Sequence, residues 1–187
     1  MNTILILLSL ALWGLVHSIL ASHFAKDMIK SPRFYRLGYN LFAGVSFLPV
    51  LYLVAVLPNT LMYQVPAPWN YVMLGVQALS ALLLLVALLQ TDTLSFIGFR
   101  QLFEEEKPSQ LVTRGLYKLV RHPLYTFSLF FIWSSPTMSR NSLVFYLGVT
   151  LYVLIGAYFE ERKLLREFGG EYAGYKQKTP FLIPGLK

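Results

Sequence analysis

Residues 69–90, WNYVMLGVQALSALLLLVALLQ, contain no charged side chain and decide the fold class. A helix of about 20 apolar residues crosses the roughly 30 Å hydrocarbon core of a bilayer. Four further apolar runs occupy approximately residues 3–24, 37–57, 124–135 and 142–159. The pattern predicts an all-α integral membrane protein of about five transmembrane helices, with the lipid bilayer as its principal partner.

The composition agrees with a membrane protein. Hydrophobic residues make up 56% of the 187 residues and charged residues 13%, whereas soluble domains carry about 25% charged residues. The net charge of +7 is therefore assigned to loops that flank the membrane, where Lys and Arg set topology, and not to nucleic-acid binding. Because the chain has no cysteine, it has neither disulfides nor thiolate chemistry, and no metal site is predicted.

Two apolar runs need closer interpretation. The first lacks a basic segment before it, and polar residues such as His17 and Ser18 are distributed through it. We interpret it as a retained helix and not as a signal peptide. The run at 124–135 is short, so it spans a bilayer only if it begins near Pro123 and continues towards Met138.

The basic residues predict the orientation of the chain. Arg140 alone among the sixteen Lys and Arg residues falls outside the three segments that follow the first, third and fifth runs. All nine acidic residues fall in those segments too. Lys and Arg concentrate on the cytosolic side of membrane proteins. The N-terminus is therefore expected outside and the C-terminus in the cytosol, in a membrane such as the bacterial inner membrane.

The most informative polar stretch is residues 111–125, LVTRGLYKLVRHPLY. Proline disfavours helix for the residue before it and favours the first helical turn, so a helix should begin at Pro123 with His122 at its entrance. The free N–H groups of that turn, with Arg121 and His122 beside them, suit a carboxylate or a phosphate. The alternative is that Arg121 and Lys118 anchor the helix at the lipid headgroups.

A pair of carboxylates marks the end of the fifth run. Glu160 and Glu161 directly follow the last apolar residues, where an unpaired carboxylate is costly. Ion pairs with Arg121 or Arg114 would stabilise them, and so would a ligand that carries an ammonium group and ribose hydroxyls. Beyond them, apolar residues recur every three or four positions, which predicts an amphipathic cytosolic helix broken at Gly169-Gly170.

These blocks, in this order, resemble a family of integral membrane methyltransferases that includes isoprenylcysteine carboxyl methyltransferases and phospholipid methyltransferases. The resemblance covers roughly residues 111–184. In the first half of the chain, Trp13-Gly14, His17-Ser18 and Tyr39-Asn40 are closest in pattern to the NnrU and methanethiol S-methyltransferase branch. The residues that carry it are Leu111-Val112-Thr113, Gly115, Tyr117, Arg121-His122-Pro123-Leu124-Tyr125, Glu160-Glu161, Phe168-Gly169, Tyr172 and Tyr175.

The resemblance implies that S-adenosylmethionine binds on the cytosolic side. The apolar runs predict one membrane domain over residues 1–187, with three helices in residues 1–91. The resemblance implies that residues 92–187, with a helical hairpin and the C-terminal helix, form the cofactor-binding half. Arg121 and His17 are the candidate catalytic residues, although His17 could instead form a hydrogen bond between helices. The implied cofactor-binding residues are Leu111, Val112, Tyr117, His122, Pro123, Tyr125 and Glu160.

The acceptor is predicted from one departure from the family pattern. Prenylcysteine enzymes carry an arginine about one turn before the glutamate, and this chain has Gly156 there. A thiol or another small lipophilic acceptor is therefore favoured over a carboxylate. Three alternatives stay open: an isoprenylcysteine or phospholipid methyltransferase, an NADPH-dependent reductase of the sterol type, and a non-catalytic accessory protein of the NnrU kind.

Overall fold

The computed structural model describes residues 2–22, 25, 32–104 and 110–186, in which nearly all regular structure is helical. Four of the helices in these ranges are long and apolar enough to cross a membrane, which agrees with the predicted all-α membrane architecture. Lys26, Lys30, Lys107 and Lys187, which the predicted orientation uses, lie outside the described residues. In chain order the helices are α1 (Asn2–Ala21), α2 (Pro32–Val56), α3 (Trp69–Leu89), α4 (Thr93–Ile97), α5 (Pro123–Trp133) and α6 (Arg140–Lys178).

The chain forms two compact units that alternate along the sequence. The first unit comprises Met1–Met62, Thr93–Lys107 and Met138–Val149. The second comprises Tyr63–Asp92, Pro108–Thr137 and Thr150–Lys187. Both units therefore draw on α6, whose first ten residues belong to one and whose remainder belongs to the other.

The first unit has a small apolar core. Ile6 and Leu10 of α1 pack with Val50 of α2 and Phe145 of α6, and all four side chains are buried. Asn141, at the start of α6, is buried as well and donates from its amide to the carbonyl of Leu57 at 3.1 Å. Because a buried amide needs partners, this bond fixes the start of α6 against the end of α2.

The second unit is built on the packing of α5 against α3. Gln77 of α3 donates to the carbonyl of Phe131 in α5 at 2.9 Å. Pro136, which follows α5, accepts a hydrogen bond at its carbonyl from the N–H of Val65 at 2.9 Å. This bond lies beside a small two-stranded sheet of β1 (Leu61–Gln64) and β2 (Thr137–Ser139), which the sequence pattern did not predict.

Helix α5 begins at Pro123, as predicted, but does not continue towards Met138. It ends at Trp133 and is followed by β2. The sequence Ser134-Ser135-Pro136 explains the end, because the residue before a proline is disfavoured in a helix. Eleven residues rise about 16 Å, which is about half of the hydrocarbon thickness. The α5 helix alone is therefore shorter than a full span.

Helix α6 extends beyond the apolar run at 142–159. It continues through Glu160 and Glu161 and is interrupted at Gly169, where φ is 53° and ψ is −122°. Glycine adopts positive φ without the steric penalty that other residues meet. The predicted break at Gly169-Gly170 is thus confirmed, and the segment from Gly170 to Lys178 is a separate helical piece.

Candidate functional site

The candidate site begins at the entrance to α5, within the second unit. His122 is the N-cap residue and Pro123 the first residue of the helix, and both are buried. The imidazole ring of His122 stacks on the ring of Tyr125 at a centroid distance of 5.4 Å. Phe181 presents its edge to the same imidazole at 5.3 Å. His122 is therefore held between two aromatic rings.

Glu160 of α6 faces this entrance. The hydroxyl of Tyr125 donates to Oε2 of Glu160 at 2.8 Å, and Nδ1 of His122 lies 3.7 Å from the same oxygen. The Glu160 side chain is 43% exposed. Within the described part of the chain, Oε1 of Glu160 accepts no hydrogen bond. The carboxylate is thus fixed through one oxygen and open at the other.

Glu161 is surrounded by cations and hardly exposed. Its Oε1 lies 2.5 Å from Nε of Arg121 and 3.4 Å from Nε2 of His122. Its Oε2 lies 2.8 Å from Nζ of Lys176. With 9% of its side chain exposed, Glu161 joins α5 to the C-terminal part of α6. Of the partners that the sequence left open for the two glutamates, the structure shows Arg121 paired with Glu161.

Burial and charge set the protonation states in the site. Burial by itself would raise the pKa of Glu161, but hydrogen bonds and charges from Arg121 and Lys176 lower it to about 2. Burial lowers the pKa of His122 below its ordinary value, although the carboxylates of Glu160 and Glu161 oppose this shift. At neutral pH, Glu161 is therefore ionised and His122 is neutral.

The residues after Gly169 return over the start of α5. Nη1 of Arg121 donates to the carbonyl of Thr179 at 2.6 Å, and the Arg121 backbone N–H donates to the carbonyl of Pro180 at 2.9 Å. The Arg121 guanidinium also lies over the ring of Phe181 at 5.4 Å. Arg121 thus binds the C-terminal segment to α5, and its Nε and Nη1 donors are engaged in structural contacts.

Tyr117 lies in a short 3-10 helical turn, Gly115–Lys118. The hydroxyl of Tyr175 donates to the carbonyl of Tyr117. Burial and then the charge of Glu160 raise the pKa of Tyr117 to about 12. The phenol therefore stays protonated at neutral pH. Leu111 and Val112 are half-buried in the non-helical segment that leads into this turn.

The structure places most, but not all, of the sequence-predicted site residues together. Tyr117, His122, Pro123, Tyr125 and Glu160 all lie around the start of α5. Arg114, the other proposed partner of the glutamates, forms no ion pair with either carboxylate among the described residues.

His17 belongs to the first unit. Its Nε2 lies 2.6 Å from the hydroxyl of Tyr39 in α2, and its ring stacks on Trp13 at 4.8 Å. This is the hydrogen bond between helices that the sequence left open as the alternative to a catalytic role.

Sequence reasoning missed the residues of the C-terminal segment that complete the site. Lys176 and Thr179 bind Glu161 and Arg121, and Phe181 packs on His122. The amphipathic pattern around Lys176 gives no sign of its partner Glu161, which lies 15 residues earlier in the chain. Pro180 was the available signal, since a proline after a helix indicates that the chain changes direction.

The fold and site define a helical membrane protein with a polar site at the end of its apolar segments. The family model for phospholipid methyltransferase matches residues 70–171. The match covers more than half of the chain, and the chain belongs to this family.

Curated relatives extend the comparison. Methanethiol S-methyltransferase 1 of Bradyrhizobium diazoefficiens is 32% identical over 187 residues, which cover 95% of this chain and 65% of the relative. Methanethiol S-methyltransferase 2 of the same organism is 34% identical over 121 residues, 62% of this chain and 47% of the relative. Protein-S-isoprenylcysteine O-methyltransferase B of Arabidopsis thaliana is 33% identical over 84 residues, 42% of each chain. The chain thus spans about half to two thirds of the length of these two methanethiol relatives, and no solved structure matches it.

Replacing Glu161 with Gln should destabilise the protein, because it removes the charge that offsets buried Arg121. We expect the free energy of unfolding to fall by about 3 kcal/mol, the scale for breaking a buried ion pair. Denaturant titration in detergent measures the change. The exposed carboxylate of Glu171 provides the control, since Glu171→Gln should change little.

The effect of Glu161→Gln should depend on pH. Because the folded-state pKa of about 2 lies below the ordinary 4.5, the stabilisation is complete above pH 4.5 and is lost as pH falls towards 2. The difference between wild type and variant should therefore be smaller at pH 3 than at pH 7. Equal stability of the two proteins at pH 7 would contradict the assigned role of Glu161.

Proposed function

We propose that this protein is a membrane methyltransferase that uses S-adenosylmethionine and methylates a small or lipophilic thiol. The observation that carries the proposal is the carboxylate of Glu160, which Tyr125 holds through one oxygen while the side chain is 43% exposed. Membership of the phospholipid methyltransferase family supports a methyl donor as the ligand. S-adenosylmethionine is proposed as the donor because its chemical groups fit the site.

The chemical groups of S-adenosylmethionine match the residues around the start of α5. Oε1 of Glu160 is available for the ammonium or a ribose hydroxyl. No side chain caps the first turn of α5, so its N–H groups are available for the carboxylate. The rings of Tyr117 and Tyr125 offer faces for the adenine or the sulfonium. Leu111 and Val112 add apolar contact beside the turn.

The cofactor supplies an electrophilic methyl group on a cationic sulfur, and the chain supplies position and charge. Glu160 places a negative charge beside the site, and His122 is neutral and adds no positive charge. Glu161 offsets the positive charge of Arg121, which would otherwise disfavour a cationic ligand. Methyl transfer requires in-line approach of the acceptor, so correct positioning supplies most of the acceleration.

Gly156 supports a small acceptor. It lies four residues before Glu160, on the same face of α6. A side-chain carbon at this position would meet no other atom within 4 Å. The space that an arginine would fill in a prenylcysteine enzyme is therefore open. Two relatives that match 62% and 95% of this chain are named for methanethiol, a small thiol.

We also propose that the candidate site faces the cytosol, because the Lys and Arg residues of the chain concentrate in the segments that contain it. Reporter fusions after Lys30, after Lys107 and at Lys187 should then report the cytosol, and a fusion between Asn59 and Pro68 should report the external side. Paired alkaline phosphatase and fluorescent protein fusions measure this. A cytosolic signal from the 59–68 loop would overturn the proposed topology.

Replacing Glu160 with Gln should weaken binding of S-adenosylmethionine by about 1 to 3 kcal/mol, the scale of a charge-assisted hydrogen bond. Calorimetry on the purified protein in detergent measures the dissociation constant, with Glu171→Gln as the matched control. NADPH should give no heat of binding to the wild type. If Glu160→Gln binds normally and a folded Glu161→Gln loses binding, the ligand contact belongs to Glu161 and the assignment to Glu160 is wrong.

Gly156 should determine the acceptor. Wild-type protein should methylate methanethiol in preference to a free prenylcysteine acid, and Gly156→Arg should suppress thiol methylation because the guanidinium fills the open space beside Glu160. Transfer of a labelled methyl group measures both activities. Gly174, where a side-chain carbon would likewise meet no neighbouring atom within 4 Å, gives the control variant Gly174→Arg. Base-labile methyl ester formed on a prenylcysteine by the wild type would show that another residue binds a carboxylate.

A further inference from the structure

The turn that carries Tyr117 packs on the side chain of Gln90. Gln90 follows the last residue of α3, and its backbone N–H bonds to the carbonyls of that helix. Its side-chain Oε1 accepts a hydrogen bond from the N–H of Leu116 at 2.8 Å. Leu116 is half-buried in the turn Gly115–Lys118, so its N–H needs a protein acceptor. Gln90 supplies it.

A second contact fixes the same turn independently of the hydrogen bond. Gly115 has a φ of 61°, a conformation that residues with a side chain rarely adopt. A side-chain carbon on Gly115 would overlap the amide group of Gln90, whose atoms are its nearest neighbours. The Gln90 amide therefore packs directly on the Gly115 backbone. The hydrogen bond and the packing together define where the turn lies.

The position of this turn matters because the turn carries Tyr117 to the candidate site. Tyr117 lies two residues after Gly115, and its carbonyl accepts the hydroxyl of Tyr175. The charge of Glu160 reaches the Tyr117 phenol. The turn is thus held by α3 through Gln90 and by the C-terminal helix through Tyr175.

We propose that Gln90 is a positioning residue for methyl-donor binding: it acts through the Gly115 turn and sets the place of Tyr117 and of residues 111–114. This inference rests on the proposed function, since it names a further residue of the same site. Gln90 does not belong to the sequence-predicted binding residues. Its role depends on an acceptor oxygen at one position, which makes the role testable by substitutions that keep or remove that oxygen.

The test compares Gln77, which lies within α3, with Gln90, which caps the C-terminal end of α3. Each is replaced in the whole chain. Gln90→Met keeps the length of the side chain and removes the acceptor. Gln77→Met is the matched control, because Gln77 also bonds a backbone group, the carbonyl of Phe131, but does not touch the turn. Gln90→Glu keeps an oxygen acceptor and is the rescue variant. Calorimetry with S-adenosylmethionine and thermal unfolding without ligand are measured for each protein.

We expect Gln90→Met to weaken binding by about 5- to 10-fold, the scale of one lost hydrogen bond, and Gln90→Glu to recover most of it. Gln77→Met should lower thermal stability as much as Gln90→Met and leave the dissociation constant unchanged. Hydrogen exchange without ligand should show faster exchange of the Leu116 amide only in Gln90→Met.

Unchanged affinity in Gln90→Met, or equal losses in Gln90→Met and Gln77→Met, would overturn the positioning role. Absence of binding by the wild type would instead overturn the proposed function.

Discussion

The ion pair between Arg121 and Glu161 is the interaction on which the site depends. Both side chains are 9% exposed, and each charge would be costly at this depth without the other. Around the pair, Lys176 binds the second carboxylate oxygen, while Arg121 donates to the carbonyl of Thr179. One ion pair therefore holds together the start of α5, the end of the α6 apolar run and the C-terminal segment.

Two neighbouring carboxylates acquire different properties from this arrangement. Consecutive residues of a helix point about 100° apart, so Glu160 and Glu161 face different surroundings. Glu161 is enclosed by cations, which lower its pKa to about 2. Glu160 meets the Tyr125 hydroxyl and is 43% exposed. Burial thus leaves one carboxylate with a structural role and the other available to a ligand.

The sequence predicts the features that local chemistry determines. Pro123 marks the start of α5 and Gly169 the break in α6, because proline and glycine act on the backbone at their own positions. The four long apolar helices follow from composition and length. The fold class agrees with the structure and the family resemblance with the comparisons, while the roles assigned to the individual binding residues stay predictions.

Long-range contacts explain what the sequence did not predict. Lys176 binds Glu161, and Gln90 binds Leu116, but neither pairing leaves a periodic or spaced signal in the chain. The early end of α5 at Trp133 also escaped prediction, since apolar residues 124–135 favour a longer helix and only Pro136 opposes it. The alternation of the chain between two compact units is likewise a property of tertiary packing.

Gly169 separates the orientation of the C-terminal segment from that of the membrane helix before it. In an unbroken helix, the last two turns would continue along the axis of the part before Gly169. Here the backbone leaves helical geometry at Gly169, and the following segment takes its direction from Tyr117, Arg121 and Glu161. The break at Gly169 therefore lets the segment after it follow its contacts with Tyr117 and Arg121 instead of the axis of the helix before it.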